Sequence, residues 1–267
     1  MTERAKHSPE VSRIFVDYLN EFTIRYCVPI IVGFEHGGGK AIEEPHYGTG
    51  TLLEIFDRRF LVTNDHVLRW IEDETRKNGR PLVFQIGRVP ISVPERLIAR
   101  SRKLDLCTFK VDDLDAQSLS DRLASDPVPQ LEFYRAHRWP PSDAQVTDKV
   151  VWGGFPTSLR HIEHGERFTV PLTFMGAVVA RVDEDMIISN IDPERKDFVV
   201  HYGGDLTPHS PELNILGGMS GGPVFLSEGT RLAPELVGLI SAYQETVHQM
   251  RISRLDGMRA DGTLLRR

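Results

Sequence analysis

The sequence predicts an all-β protein with two β lobes and one helix in front of them. From Cys27 onward, short apolar runs alternate with Gly, Pro, Asn and Asp, which is typical of strands joined by turns. These runs are interrupted between Asp112 and about Asp148 by a stretch rich in Asp, Ser and Pro. A helical pattern precedes the first run. Together these three observations favour an N-terminal helix followed by two β units and a linker.

The N-terminal helix is predicted over about residues 9 to 23. Ser8-Pro9-Glu10 has the capping serine, first-turn proline and early acid typical of a helix start. Apolar residues then recur at the spacing of one helix face, at Val11, Ile14, Phe15, Tyr18, Leu19 and Phe22. This face either packs on the body of the protein or docks a partner protein.

The strand pattern divides the chain into five parts. Strands of the first lobe are predicted at residues 28–34, 50–56, 59–63, 82–86, 96–99 and 104–111. Strands of the second lobe are predicted at 150–154, 168–180, 186–188, 198–202, 224–226, 236–242 and 250–252. The parts are a helical extension (1–27), the first lobe (28–112), a linker with a short helix (113–148), the second lobe (149–254) and a partly frayed tail (255–267).

Composition limits the classes of partner. The 267 residues are 40% hydrophobic and 26% charged, as in soluble globular proteins, and no apolar run approaches a membrane span. We therefore expect no membrane partner. The net charge of −6 argues against binding to nucleic acid. The polar start has no apolar signal core and only Cys27 and Cys107 are present, which predicts a cytoplasmic protein without a disulfide framework.

A glycine-rich segment around Ser220 is a candidate nucleophile loop. Its residues are Gly217-Gly218-Met219-Ser220-Gly221-Gly222-Pro223. A serine among glycines can lie on a tight turn whose backbone amides point at one spot, where an oxyanion would bind. The alternative is a glycine-rich surface loop with an incidental serine.

A serine nucleophile needs a base and an orienting carboxylate. His66 follows a predicted strand and opens a short predicted helix at 66–71, although such a histidine could simply cap a turn. Asp105 interrupts an apolar strand, where a buried carboxylate would need a partner, whereas an edge-strand aspartate would face water. Asp65 is adjacent to His66, but adjacency in sequence does not place its carboxylate against the imidazole ring.

Five segments share the order and approximate spacing of a known family. They are Gly48-Thr49-Gly50-Thr51-Leu52-Leu53, Val62-Thr63-Asn64-Asp65-His66-Val67, Leu104-Asp105-Leu106, Gly218-Met219-Ser220-Gly221-Gly222-Pro223 and Val237-Gly238-Leu239-Ile240-Ser241. Jointly they resemble the trypsin-like (chymotrypsin-fold) serine peptidases over about residues 28 to 254.

The resemblance implies two six-stranded antiparallel β-barrels with the active site in the cleft between them, plus short linker helices. It also implies a His66, Asp105 and Ser220 triad that forms an acyl-enzyme, and an oxyanion hole made by the amides of Gly218 and Ser220. A peptide or protein substrate is implied, and neither a metal nor an organic cofactor.

Two departures from that family narrow the prediction. Secreted digestive members have an acid before the serine, which pairs with an amino terminus freed by cleavage, whereas Met219 stands here. The chain therefore resembles intracellular or high-temperature-requirement type members more closely. Asn64 and Asp65 also stand where the family usually has two small residues.

The same resemblance predicts a specificity site. Asn214, six residues before Ser220, is placed near the base of the pocket, and Ser241, Ala242 and Tyr243 lie on the strand that pairs with substrate backbone. No aspartate is available for a basic side chain. We predict a preference for small or medium uncharged residues before the scissile bond, with Tyr243 narrowing the pocket.

Three alternatives carry less weight. Gly37-Gly38-Gly39-Lys40 is no phosphate loop, because Phe34 and Ala41 stand where such a loop needs Gly and Ser or Thr. His161 and His164, with Glu163 between them in a predicted loop, lack further metal ligands nearby. The remaining rival is a catalytically idle or activator-dependent member of the same fold that binds peptides or a partner protein.

Overall fold

The structure, a computed structural model, describes residues 9–35, 42–78, 82–87, 89–123, 131–157, 160–163, 166–169, 172–191, 198–200, 216–227 and 234–265.

The first lobe is a strongly bent antiparallel sheet. The strands of this lobe are β1 (Cys27–Glu35), β2 (Ile42–Ile55), β3 (Arg58–Thr63), β4 (Leu82–Ile86), β5 (Val89–Pro90), β6 (Leu97–Ser101), β7 (Leu106–Lys110) and β8 (Tyr134–Arg135). Their order is β5-β4-β1-β2-β3-β7-β6, with β8 parallel to β2.

The second lobe is a closed barrel. Its strands are β9 (Lys149–Gly154), β12 (Leu172–Val182), β13 (Met186–Asn190), β14 (Phe198–Val200), β15 (Pro223–Leu226), β16 (Glu235–Gln244) and β17 (Gln249–Arg254). Pairing runs β13-β17-β16-β15-β9-β12, and β12 pairs with β13 again, which closes a ring of six strands. A separate hairpin joins β10 (Arg160–Glu163) and β11 (Glu166–Thr169).

The predicted two-barrel, all-β fold class is confirmed. The second sheet is a complete six-stranded antiparallel barrel, and the first forms a half-barrel whose described strands close no ring. Each lobe has its own core, because alternate residues of each strand point inward. In the first lobe this core includes Val28, Ile30 and Val32 of β1, and in the second it includes Val150 and Trp152 of β9.

The described residues include four α-helices: α1 (Pro9–Arg25), α2 (Asp65–Asn78), α3 (Val93–Arg96) and α4 (Asp113–Leu123). A 3-10 turn spans Glu245–Val247. The short helix predicted to open at His66 and to fade before Gly79 is α2, which begins at Asp65 and ends at Asn78. In the described part of the chain, no helix has the length and apolar character needed to cross a membrane.

Helix α1 packs on the protein through one face and leaves another exposed. Leu19 is buried, and the buried Asn20 accepts a hydrogen bond of 2.6 Å from Thr173 on β12 of the second lobe. The helix thus has the packing role considered for it. Ile14, Phe15 and Tyr18 are exposed, and a docking role for them stays a prediction.

A third apolar cluster fills the interface between the lobes. It combines residues of β2 and β3 with Val151 of β9 and Phe225 of β15. Leu255 and Met258, from the segment after the second barrel, are fully buried in the same cluster. The prediction that this tail is partly frayed is therefore wrong for residues 255–265, because their apolar side chains fill the space between the lobes.

Several local predictions also need correction. The run predicted as one strand at 168–180 belongs to two strands, β11 and β12. Residue Arg96 ends helix α3 rather than beginning a strand, since Pro94 favours a helix start at that point. His161 and Glu163 lie on β10 rather than in a loop. His164 and residues 37–40 lie outside the described residues.

Candidate active site

His66 is placed by the junction of a strand and a helix in the first lobe. Strand β3 ends at Thr63, and α2 begins at Asp65, so the ring is carried on the first turn of the helix. His66 Nδ1 lies 2.9 Å from Asp105 Oδ2, and the His66 amide donates to Asp105 Oδ1 at 3.0 Å. The first amides of a helix lack partners within it, so this carboxylate also caps α2.

Asp105 lies in a turn rather than within a strand. The predicted strand at 104–111 begins only at Leu106, and Asp105 has a φ of +49°. Its backbone carbonyl accepts a hydrogen bond of 2.9 Å from Asn64 Nδ2. Aspartate adopts this left-handed conformation more readily than most residues. This turn directs the Asp105 carboxylate toward α2. A residue within the strand would not need to point that way.

The Asp105 carboxylate joins the two lobes. Ser241 on β16 of the second lobe donates its hydroxyl to Asp105 Oδ2 at 2.6 Å. Burial acts to raise the pKa of Asp105, but hydrogen bonds from His66 and Ser241 outweigh it and hold this pKa below its usual range. The group is therefore ionised at neutral pH, with only 19% of its side chain exposed.

Ser220 approaches the same point from the second lobe. Its hydroxyl donates to the backbone carbonyl of Ser241 at 3.1 Å. Both Ser220 and His66 belong to the described chain, and the structure contains no hydrogen bond between their side chains. His66 therefore contacts Asp105 directly. Ser220 is linked to Asp105 through Ser241, whose carbonyl binds Ser220 and whose hydroxyl binds Asp105.

We call residues 217–222 the serine loop. Each of its six backbone carbonyls accepts a hydrogen bond of 2.7 to 2.9 Å. The donors, in order from Gly217 to Gly222, are Thr157 N, Thr49 Oγ1, Gly222 N, Thr49 N, Thr51 Oγ1 and Ile240 N. No carbonyl of the loop is therefore left without a donor.

Three amides of the serine loop, those of Gly217, Gly218 and Ser220, have no acceptor among the described residues. The other three, those of Met219, Gly221 and Gly222, donate to the carbonyls of Leu216, Ile240 and Met219. In a trans peptide the N–H points away from the preceding carbonyl, so the Gly218 amide is directed away from Thr157, which binds the Gly217 carbonyl. Free amides beside a serine can bind an oxyanion.

Glycine is required at position 218. Its φ is +90°, and a Cβ there would lie 2.5 Å from Thr157 Oγ1. The adjacent Met219 is fully buried in the core of the second barrel, together with Trp152 and Leu216. An apolar side chain thus anchors the loop at the position where secreted digestive relatives have an acid.

Residues 48–239 match the family model described as the trypsin-like peptidase domain. This match covers more than half of the chain. The chain belongs to the trypsin-like peptidase family. Its first and last matched residues enclose the candidate triad, so the family assignment and the geometry concern the same part of the molecule.

Among the solved structures that resemble this trypsin-like peptidase are two viral examples. One was reported in a study of coupled folding and binding of the disordered VPg protein of Sesbania mosaic virus; it is 13% identical, with a TM-score of 0.39 over 86% of this chain and 92% of that one. The other is a catalytically inactive tobacco etch virus protease complexed with substrate; it is 10% identical, with a TM-score of 0.42 over 88% and 79%. No curated protein matches the sequence.

The predicted specificity residues of this trypsin-like peptidase are only partly described. Ser241 is half-buried, Ala242 is exposed, and the Tyr243 hydroxyl lies 3.0 Å from His248 Nδ1. All three lie on the last part of β16, which pairs with β17 on one side and has no strand partner on the other among the described residues. Asn214 lies outside the described residues.

Sequence reasoning missed the contribution of several polar residues. Ser241 was assigned to substrate pairing, and its hydroxyl contact with Asp105 was not expected. Asn64 fixes the Asp105 turn, and the fully buried Asp65 contacts Arg69 Nε and Arg100 Nε, both at 2.8 Å. The departure from the family pattern at positions 64 and 65 was the available signal for these two residues.

Proposed function

We propose that this trypsin-like peptidase is a serine endopeptidase with His66, Asp105 and Ser220 as its triad. The observation that carries the proposal is the ionised Asp105 carboxylate, which binds His66 Nδ1 at 2.9 Å and Ser241 at 2.6 Å beside a serine flanked by free amides. These groups come from both lobes. They provide the base, its orienting carboxylate and donors for an oxyanion at one place.

The proposed chemistry follows from which atoms are free. With the proton on His66 Nδ1 held by Asp105, Nε2 accepts the Ser220 proton as Oγ attacks the substrate carbonyl carbon. The tetrahedral oxyanion binds the amides of Gly218 and Ser220. His66 then protonates the leaving amine, and water hydrolyses the acyl-enzyme by the same route in reverse.

The substrate backbone is proposed to bind along the free edge of β16. Residues 241–244 expose one edge without a strand partner among the described residues, so an extended peptide could pair there. We retain the proposed preference for small or medium uncharged side chains before the scissile bond. A peptide library cleaved mainly after Arg or Lys would overturn that preference.

A second candidate is an idle or activator-dependent member of the fold. The observation in its favour is the Ser220 hydroxyl, which donates to the Ser241 carbonyl rather than to His66. Catalytic hydrogen bonds are often long in the absence of substrate, so this contact alone does not separate the candidates. The reactivity of Ser220 distinguishes the two candidates.

The test is reaction with a fluorophosphonate, followed by intact-mass measurement. The uncleaved wild-type chain is expected to gain one adduct, and the Ser220→Ala chain none. An adduct on the uncleaved chain would also support the proposed intracellular or high-temperature-requirement type, since it needs no freed amino terminus. Absence of an adduct on native wild-type protein would contradict the constitutive enzyme and favour the second candidate.

A further inference from the structure

Thr49 lies where both lobes meet the serine loop. It is a fully buried residue of β2 in the first lobe. Its hydroxyl donates to the Gly218 carbonyl at 2.9 Å and accepts from the Phe155 amide at 3.0 Å. Its own amide donates to the Ser220 carbonyl at 2.8 Å. Thr49 therefore holds the 218–219 and 220–221 peptides. The 219–220 peptide between them carries the Ser220 amide, and the 217–218 peptide before them carries the Gly218 amide.

We propose that Thr49 is a positioning residue, which holds the serine loop with the amides of Gly218 and Ser220 turned toward the substrate. The inference rests on the proposed peptidase function. In this proposal the neutral Thr49 hydroxyl controls the conformation of the serine loop, because the uncharged Met219 cannot control it through an ion pair.

Burial of Met219 does not by itself determine this conformation. Apolar burial is non-directional, so it fixes the position of the side chain but not the rotation of the adjacent peptide planes. Gly218 can adopt many backbone conformations, so the 218–219 peptide could rotate while Met219 stays buried. A hydrogen bond is directional, and the Thr49 hydroxyl selects one orientation of that peptide.

The orientation of the Thr49 hydroxyl is itself fixed. Because the Thr49 hydroxyl oxygen accepts from the Phe155 amide, the hydroxyl hydrogen is available to the Gly218 carbonyl. The Thr49 carbonyl accepts from Thr63 Oγ1 at 2.7 Å, which ties it to β3. Two neighbouring glycines leave the space that Thr49 occupies. A Cβ at Gly154 would lie 3.0 Å from Thr49 Oγ1, and a Cβ at Gly221 would overlap the Thr49 carbonyl.

Three variants test the proposal. Thr49→Val keeps the shape and removes the hydroxyl, while Thr49→Ser keeps the hydroxyl. Thr108→Val is the matched control, because Thr108 is also fully buried and donates to a glycine carbonyl, at 2.7 Å, but that glycine is Gly262 in the C-terminal segment. Thermal unfolding first verifies that each variant is folded.

The first measurement is steady-state cleavage of a peptide ester. An oxyanion donor acts mainly in the transition state, so Thr49→Val is expected to lower kcat by about tenfold or more with KM within about twofold. Thr49→Ser and Thr108→Val are expected to stay within about threefold of wild type. Equal kcat for Thr49→Val and Thr108→Val would overturn the proposal.

The second measurement is amide hydrogen exchange, which does not depend on activity. The amides of Met219, Gly221 and Gly222 donate within the structure, and Thr49→Val is expected to speed their exchange while Thr108→Val does not. Unchanged exchange in Thr49→Val would overturn the proposal even if wild type reacts with the fluorophosphonate. If wild type does not react, the peptidase proposal fails, and exchange alone decides whether Thr49 holds the loop.

Discussion

Asp105 combines a backbone conformation that few residues adopt with a carboxylate that receives three hydrogen bonds. Its donors are the His66 amide, His66 Nδ1 and the Ser241 hydroxyl. The residue therefore caps a helix, orients the candidate base and joins the two lobes. Changing it should affect both turnover and stability, in ways that depend differently on pH.

The first prediction concerns Asp105→Asn. An amide can present its N–H to His66 Nδ1 and so stabilise the wrong tautomer, which should lower turnover by about four orders of magnitude. Loss of charged hydrogen bonds should also lower the free energy of unfolding by about 2 kcal/mol near pH 7. Peptide-ester kinetics and urea unfolding measure the two effects. A turnover loss below about tenfold would mean that another carboxylate orients the base.

The pH dependence of that stability difference has a defined sign. The pKa of Asp105 is lower in the folded protein than its ordinary value, so its stabilising contribution is fully present above the ordinary aspartate pKa. It is lost as the pH falls through the folded-state pKa. The difference in unfolding free energy between wild type and Asp105→Asn should therefore be constant above about pH 5 and shrink below about pH 4.

At the scale of one element, helix α2 is held to the first lobe by a buried carboxylate. Asp65, in its first turn, contacts Arg69 one helical turn later and Arg100 on β6, while Arg69 Nη2 lies 3.8 Å from Asp105 Oδ1. Arg100 also contacts Glu72 on the same helix. This network fixes the start of the helix, and with it the position of His66.

The second prediction concerns Asp65→Asn. Removing the charge leaves two partly buried arginines without their shared partner, so the free energy of unfolding should fall by about 2 kcal/mol or more. Asp113→Asn is the matched control, because Asp113 is also a first-turn acid that pairs with an arginine, Arg59, but its side chain is 98% exposed. The control should change stability by less than about 1 kcal/mol. Equal losses in urea unfolding would show that the Asp65 network does not stabilise the helix.

At the scale of the whole molecule, the first and last described segments each pack against the more distant lobe. Helix α1 precedes the first lobe and bonds to the second through Asn20 and Thr173. The segment after the second barrel returns to the first, where Thr108 donates to the Gly262 carbonyl. These crossings help to hold together the two lobes that carry His66 and Ser220.

The third prediction concerns Met258→Ala. This side chain is 1% exposed in the cluster between the lobes, and its truncation should lower the free energy of unfolding by about 2 to 4 kcal/mol because of lost burial and a residual cavity. Leu114→Ala, at a site 76% exposed, is the control and should change stability by less than about 0.5 kcal/mol. Thermal or urea unfolding compares them. If the Met258 variant were as stable as the control, the returning segment would not hold the lobes together.

Much of the fold was predictable because its signals are local. Short apolar runs indicate strands such as β3 and β9 directly, and the caps and periodicity near Pro9 indicate α1. The candidate residues could be selected from the sequence because His66 follows a predicted strand and opens a helix, Asp105 interrupts an apolar run and Ser220 lies among glycines. Their order also resembles that of the trypsin-like peptidases. Met219 was visible as an uncharged residue at a position where relatives have an acid.

Tertiary structure alone decided how those residues are held. The left-handed turn at Asp105 depends on a contact with Asn64, 41 residues away. The Ser241 hydroxyl on the Asp105 carboxylate and the packing of residues 255–265 depend on contacts between segments more than 100 residues apart. Sequence spacing carries no information about such pairs. The sequence by itself determined the fold class and the chemical types in the candidate site. The direction of each peptide plane in the serine loop depends on donors from both lobes, Thr49 among them, because hydrogen-bond direction is set only when the segments meet.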